Sequence, residues 1–225
     1  MSAIKKSSTL PRLSAQPTLK VGKSERTRAT ILNAGLEFVW SHPFREMTVN
    51  ALMASTGLSR SAFYQYFKDR HDLMETLLDM VQEEIFAVTD SWFEGTGDPV
   101  VLLNESLAGL TDVGYRLGPI LRAANDAAAT DRQLEKAWTQ FLDEFDEAVS
   151  TRIEGDQEQG LIPRFDARPV AIALNRLDAY TLIQAFGQRP RKRPEPVRQA
   201  LVRIWISTLY GDEWLEKGRS NLVRT

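Results

Sequence analysis

The sequence predicts an all-α fold, and three observations carry that expectation. Apolar residues recur at helical spacing over long segments, as in Trp138, Phe141, Leu142, Phe145, Val149 and Ile153. No run alternates apolar and polar residues as a half-buried strand would. Ser, Thr and Asp stand where helices would start, and Gly and Pro where they would stop.

Residues 1–23 read as a disordered basic arm. Lys5, Lys6, Arg12, Lys20 and Lys23 are accompanied by no acidic residue, and the stretch cannot bury enough surface to offset its ordering entropy. Ser24 is the expected cap of the first helix, in which Ile31, Leu32, Gly35, Leu36, Phe38 and Val39 repeat. Pro43 ends it. Thr48 caps a short helix holding Val49, Leu52 and Met53. Gly57 suits the left-handed residue of a tight turn. Ser59 caps a third helix, expected to reach about Tyr66. Asp69 opens a fourth, with Asp72 at its N3 position in the manner of a capping box. Its apolar stripe continues through Leu73, Leu77, Met80, Val81, Ile85 and Val88.

Beyond the loop at EGTGDP, one helix is expected from Leu102 to about Leu117, closed by Gly118 and Pro119, and another from Ile120 to about Ala129. A long helix follows from Asp131 to about Gln159. Pro169 fits the first turn of the next, which runs toward Phe186. The loop QRPRKRPEP then leads to a last helix, about Val197 to Lys217, and residues 218–225 form a tail.

Composition bounds the chemistry. With 225 residues and 43% hydrophobic content, a packed core is expected. No cysteine is present, which removes disulfides, thiolate nucleophiles and cysteine-based metal sites. No apolar run approaches the length of a membrane span, and the N-terminus lacks the apolar core of a signal peptide. A cytoplasmic protein with no membrane partner is expected. The net charge of −2 hides an asymmetry: residues 1–75 hold 11 Lys and Arg against 6 Asp and Glu. The totals of 28 and 30 leave 17 and 24 for the remainder. A basic front on an acidic body points to an anionic partner for the front.

The stretch TGLSRSAFYQYFKDRHDL sharpens that reading. A short helix, a turn at Gly57 and a second short helix form a helix-turn-helix pattern, although an amphipathic helix in an ordinary bundle would read similarly. On a helical wheel Arg60, Ser61, Tyr64 and Gln65 share a polar face, while Phe63 and Phe67 anchor the other side. Arg pairs with guanine and Gln with adenine in a major groove. Thr48, Ser59, Tyr66 and Lys68 supply hydroxyls and a charge suited to phosphates.

Residues 24–75 resemble the DNA-binding domain of the TetR/AcrR repressor family, through ILNAGLEFV and MTVNALMASTGLSRSAFYQYFKDRHDLMETLL. The specific positions are Gly57, Leu58, Ser59, Phe63, Tyr64, Phe67 and Lys68. The resemblance implies a helix-turn-helix domain at 24–70 and a ligand-binding and dimerisation domain at 71–217. It further implies a homodimer on a roughly palindromic double-stranded operator. LRAANDAAATD, AWTQF, ALNRLDAYTL and LVRIWISTLYGDE resemble the EthR-like branch of that family. That likeness implies a largely apolar tunnel for a small apolar or amphipathic ligand, and a dimer interface built from the last two helices.

Residues expected at the tunnel are Leu103, Leu107, Leu110, Trp138, Phe141, Phe145, Asn175, Asp178, Leu182 and Trp205. Each aromatic among them would equally suit core packing. Asn175 and Asp178 share a face of an otherwise apolar helix, which is costly when buried unless partners exist. Asp178 either faces the tunnel, favouring a cationic or donor-bearing ligand, or pairs with Arg176, Arg203 or solvent. Arg189, Arg191, Lys192 and Arg193 either meet phosphate or line a solvated loop.

No cofactor and no metal are expected, because His42 and His71 stand alone and no nucleophile, phosphate or dinucleotide motif is visible. The reading is a DNA-binding regulator, a repressor released by its ligand. The alternative is a dimeric small-molecule binding protein without specific DNA binding, and salt dependence separates the two.

Overall fold

The computed structural model describes residues 22–211. The described residues form α-helices joined by short loops, with one 3-10 turn and no strand. Helices α1 (Lys23–Ser41), α2 (Val49–Ala54) and α3 (Arg60–Tyr64) make a small N-terminal unit, with the 3-10 turn at Phe44–Glu46. Helix α4 (Arg70–Glu94) leads out of it into a bundle of α5 (Pro99–Ala128), α6 (Arg132–Glu158), α7 (Ala167–Phe186) and α8 (Pro194–Leu209). Of the basic arm expected at 1–23, residues 1–21 lie outside the described residues, as do the expected helix beyond Gly211 and the tail, whereas Gly22 and Lys23 cap and open α1.

Most starts follow local chemistry. The Thr48 hydroxyl accepts from Ala51 N at 3.1 Å, and the Ser59 hydroxyl from Ala62 N at 3.3 Å. Asp69 accepts from His71 N and Asp72 N at 2.8 and 3.0 Å. These amides hold its carboxyl below the usual range, the Asp72 N–H first. Asp72 reaches back one residue past the cap, accepting from Lys68 N at 2.7 Å. Gly57 takes φ 69°, as the turn requires. Helix α3 closes at Tyr64, two residues earlier than expected. Ser24 is not the first cap. Gly22 holds that position, its N–H donated to Glu25 Oε2 at 3.1 Å, and α1 starts at Lys23.

The two helices expected around Gly118 and Pro119 are one helix, α5, with Pro119 inside it. Proline has no N–H, so the carbonyl four residues earlier, on Tyr115, loses its intrahelical donor. Arg191 replaces it, with Nη1 at 2.6 Å from Tyr115 O. The guanidinium lies 3.8 Å from the Tyr115 ring centroid and 5.3 Å from that of Trp40 on α1. Arg189 stands 4.7 Å over the same Trp40 ring. The arginine loop is therefore neither purely solvated nor spare for phosphate along its length.

Arg122, one turn past the proline, completes the junction. Its Nε donates to Gly187 O at 2.9 Å and its Nη2 to Val39 O at 2.6 Å. Val39 is also four residues before a proline, Pro43. Gly118 lets the end of α7 approach, since a Cβ there would lie 2.9 Å from Phe186 C.

Replacing Arg191 by Ala is expected to cost about 1–3 kcal/mol, the usual range for leaving an acceptor unpaired. In a Pro119→Ala background, where residue 119 regains an N–H for Tyr115 O, the same change should cost less. Urea unfolding of the four proteins checks this, and additive losses would contradict the assignment.

Candidate functional site

The N-terminal unit presents one polar face. Phe63 and Phe67 are buried and pack at 5.6 Å between centroids, fixing α3 against the unit's core. Arg60, Ser61, Tyr64, Gln65 and Lys68 are exposed on or just beyond α3, as are Thr48 and Ser59 at the helix starts. Tyr64 leans edge-on against Phe63 and leaves 52% of its surface open. Ser59 and Ser61 share a hydroxyl contact at 2.8 Å. Tyr66 stands apart from this set. It is half-buried, and its hydroxyl donates to Ser24 Oγ at 3.1 Å, tying α3 to the start of α1.

Arg70 was not anticipated. Its Nη1 approaches the carbonyls of Phe44, Arg45 and Met47 at 3.5, 3.2 and 3.1 Å, and its guanidinium lies 4.8 Å from the Phe44 ring centroid. It stitches the turn before α2 to the first residue of α4. No spacing rule in the sequence marks that role, because the contact spans more than twenty residues.

A second site lies inside the bundle. Side chains from α4, α5, α6, α7 and α8 line an apolar cavity of about 70 Å³. Nine of the ten expected tunnel residues line it: Leu103, Leu107, Leu110, Phe141, Phe145, Asn175, Asp178, Leu182 and Trp205. Trp138 does not. It stacks behind Phe141 at 5.3 Å, one layer removed from the wall. The α4 wall, formed by Ile85, Thr89, Trp92 and Phe93, was missed, since an apolar stripe on a long helix reads the same whether it meets core or cavity. Phe86 stacks on Phe145 at 4.5 Å, and Trp92 meets Trp205 edge-on at 5.7 Å.

The cavity holds few polar groups. Asn175 donates its amide to Asp146 Oδ1 at 2.9 Å, and Arg176 pairs with both oxygens of the buried Asp146 at 3.0 and 2.9 Å. Arg176 is thereby committed elsewhere, Arg203 is exposed, and Asp178 makes no ion pair among the described residues. Its one partner is the Trp205 indole, whose Nε1 donates to Oδ1 at 2.9 Å. Burial pushes the Asp178 carboxyl up to about 7, with the indole hydrogen bond pulling weakly the other way. Ser106, 2% exposed, also lines the cavity, and its hydroxyl has no partner among the described residues.

The two sites share α4, which starts beside α3 and supplies a cavity wall. At its start His71 Nε2 meets Asp131 Oδ2 at 2.7 Å, linking α4 to the cap of α6. Against the upward push of partial burial, this contact and the Leu134 and Gln133 amides hold the Asp131 carboxyl below its usual range.

Comparison with known proteins agrees with this layout. The pattern described as "Bacterial regulatory proteins, tetR family" matches residues 31–77. That described as "Transcriptional regulator EthR, C-terminal domain" matches residues 105–211. The chain belongs to the TetR family. Its TetR-type helix-turn-helix and EthR-type C-terminal domain make it a DNA-binding transcriptional regulator. It is similar to the HTH-type transcriptional regulator EthR of Mycobacterium tuberculosis, 27% identical over 187 residues, covering 81% of this chain and 86% of that one. It is also similar to the HTH-type transcriptional repressor LfrR of Mycolicibacterium smegmatis, 29% identical over 105 residues, 47% of this chain and 52% of that one. Among solved structures of the fold, a SmeT–triclosan complex superposes with a TM-score of 0.71 at 17% identity, covering 83% of this chain and 93% of that one. Among the described residues, no helix of this TetR-family chain is long and apolar enough to cross a membrane.

The raised Asp178 carboxyl makes stability depend on pH. The folded protein holds this proton up to about 7, whereas the unfolded chain releases it near 3.8. Stability is therefore full below the lower value and falls as pH rises between the two, by at most about 4 kcal/mol. Asp178→Asn, which keeps an acceptor for Trp205, should remove that slope. Urea denaturation of both proteins from pH 4 to 8 measures it; parallel curves would contradict the assignment.

Proposed function

We propose that this regulator is a repressor that occupies a roughly palindromic operator as a homodimer and leaves it when a small apolar or amphipathic ligand enters the cavity. The observation that carries the reading is the continuity of α4, which begins at Arg70, shortly after α3 ends at Tyr64, and ends among the cavity-lining side chains. Arg60 and Gln65 would read bases, and Thr48, Ser59, Ser61, Tyr64 and Lys68 would position the helix on phosphates. Tyr66 would serve by holding α1 in register. The cavity is too small for more than a few atoms, so a ligand must push the walls apart. A displacement of α4 would alter the spacing of two paired reading helices, and the ligand would act through its differential affinity for the two spacings.

Dimerisation through α7 and α8 is supported by apolar side chains left open there. Tyr180 is 66% exposed, Ile172 36% and Ile204 37%. The protein would work in the cytoplasm, associated with the nucleoid when bound, and needs no catalytic group for this role.

Titrating salt against the protein on its own upstream DNA, with a scrambled control, tests the reading. Binding should be selective and should weaken steeply as salt rises. Arg60→Ala should cost about 1–3 kcal/mol and relax base preference, whereas Lys68→Ala should weaken all sequences alike and lower the salt slope by about 1. Equal, weak binding to both DNAs and to a genome-wide fragment pool would favour the small-molecule binder instead. Tyr180→Glu should shift the protein from dimer toward monomer in sedimentation; an unchanged mass would place the interface elsewhere.

A further inference from the structure

The cavity contains an unmet electrostatic demand. Its walls from α4, α5, α6 and α8 contribute no charged or titratable side chain, and α7 contributes Asp178 alone. Asp178 is 6% exposed, and its neighbours supply one neutral indole N–H to Oδ1 and nothing to Oδ2. The nearest arginine along the helix, Arg176, pairs through both terminal nitrogens with Asp146 and makes no ion pair with Asp178. A carboxylate taken out of water without a counter-charge is destabilising, and protein groups usually compensate it. Here they do not. Ser106 adds a second demand, a buried hydroxyl on the same cavity with no partner among the described residues.

A wholly apolar ligand would leave both groups unpaired and exclude whatever water reaches them. We infer that the ligand of this cavity carries an ammonium group on a short apolar body, with Asp178 Oδ2 accepting from the ammonium and Ser106 Oγ accepting a further N–H. The apolar body lies against the leucines of α5 and the Phe141 and Phe145 rings. The Trp205 indole holds the carboxylate in place and so positions the acceptor. Because burial pushes the Asp178 carboxyl to about 7, the empty cavity near neutral pH carries a proton for part of the time. An incoming ammonium displaces that proton. Affinity for the ammonium is then flat above about 7 and falls as pH drops below it, while an amine with a pKa near 10 stays charged throughout. A neutral ligand that accepts a hydrogen bond from the protonated acid would show the opposite slope.

This inference rests on the reading of the cavity as the effector site, and the test separates the two. The probes are n-hexylammonium and n-hexanol, which differ at the head group, titrated into the full chain. Trp92 and Trp205, both on the cavity wall, report binding by fluorescence. At pH 8 the ammonium should bind about tenfold to a hundredfold more tightly than the alcohol, as expected of a charge-assisted hydrogen bond. Asp178→Asn should abolish that preference, bringing the two affinities together. In the wild-type protein the preference should shrink between pH 7.5 and roughly 6. Equal affinities in the wild type, a preference retained by Asp178→Asn, or a preference growing at lower pH would each overturn the inference. Should Asp178→Asn fail to fold, the wild-type pH series decides alone. Release of upstream DNA is followed in parallel. Release by the alcohol without any ammonium preference would leave the ligand-released regulator standing and remove the role of Asp178. Absence of binding by both probes would remove both.

Discussion

The arginine that fills the gap made by Pro119 holds the two halves of this protein in register. A proline inside a helix normally bends or breaks it, because a carbonyl is left without its amide. Here the carbonyl of Tyr115 meets Arg191, and the same guanidinium lies against the rings of Tyr115 and Trp40. The loop that carries Arg191 is pinned by Lys192 N donating to Ala185 O at 2.9 Å. Arg122 does the corresponding work for Val39, whose carbonyl precedes Pro43, and extends to Gly187 at the end of α7. Pro119 inside α5 and the end of α1 before Pro43 thus leave two free acceptors, and two arginines join α1, α5 and α7 through them.

The polar face of α3 depends on a division of labour within five residues of helix. Phe63 is buried and Tyr64 exposed, although they are adjacent and chemically alike. Helical geometry alone separates them, since neighbouring side chains point about 100° apart. Once Phe63 and Phe67 are fixed, Arg60, Ser61 and Gln65 need no packing of their own to be presented. A short helix with weak intrinsic stability can therefore hold a set of hydrogen-bonding groups firmly.

What was legible beforehand follows from how local each signal is. Thr48, Ser59, Asp69 and Gly57 act within a few residues of themselves, and their roles were readable. Ser24 was misread because the cap at Gly22 uses a backbone amide and Glu25, leaving Ser24 to accept from Tyr66 across the unit. The break expected at Pro119 follows a sound local rule that Arg191, more than seventy residues away, overrides. Periodicity identified which face of α6 turns inward but not its depth, so Trp138 and Phe141 looked equivalent when one lies behind the other. The partner of Asp178 was unreadable for the same reason: Arg176 was closer in sequence, but Asp146 had already claimed it.

The pairing of Pro119 with Arg191 also bears on inheritance. Neither residue makes sense alone: the proline without the arginine strands an acceptor, and the arginine without the proline loses the group that fixes its position. In a lineage where position 119 drifted to a residue with an N–H, position 191 would be relieved of one constraint and Trp40 would lose a partner. Descendants should then vary at these three positions together, and the loop between α7 and α8 would be the first part of the domain to change its length.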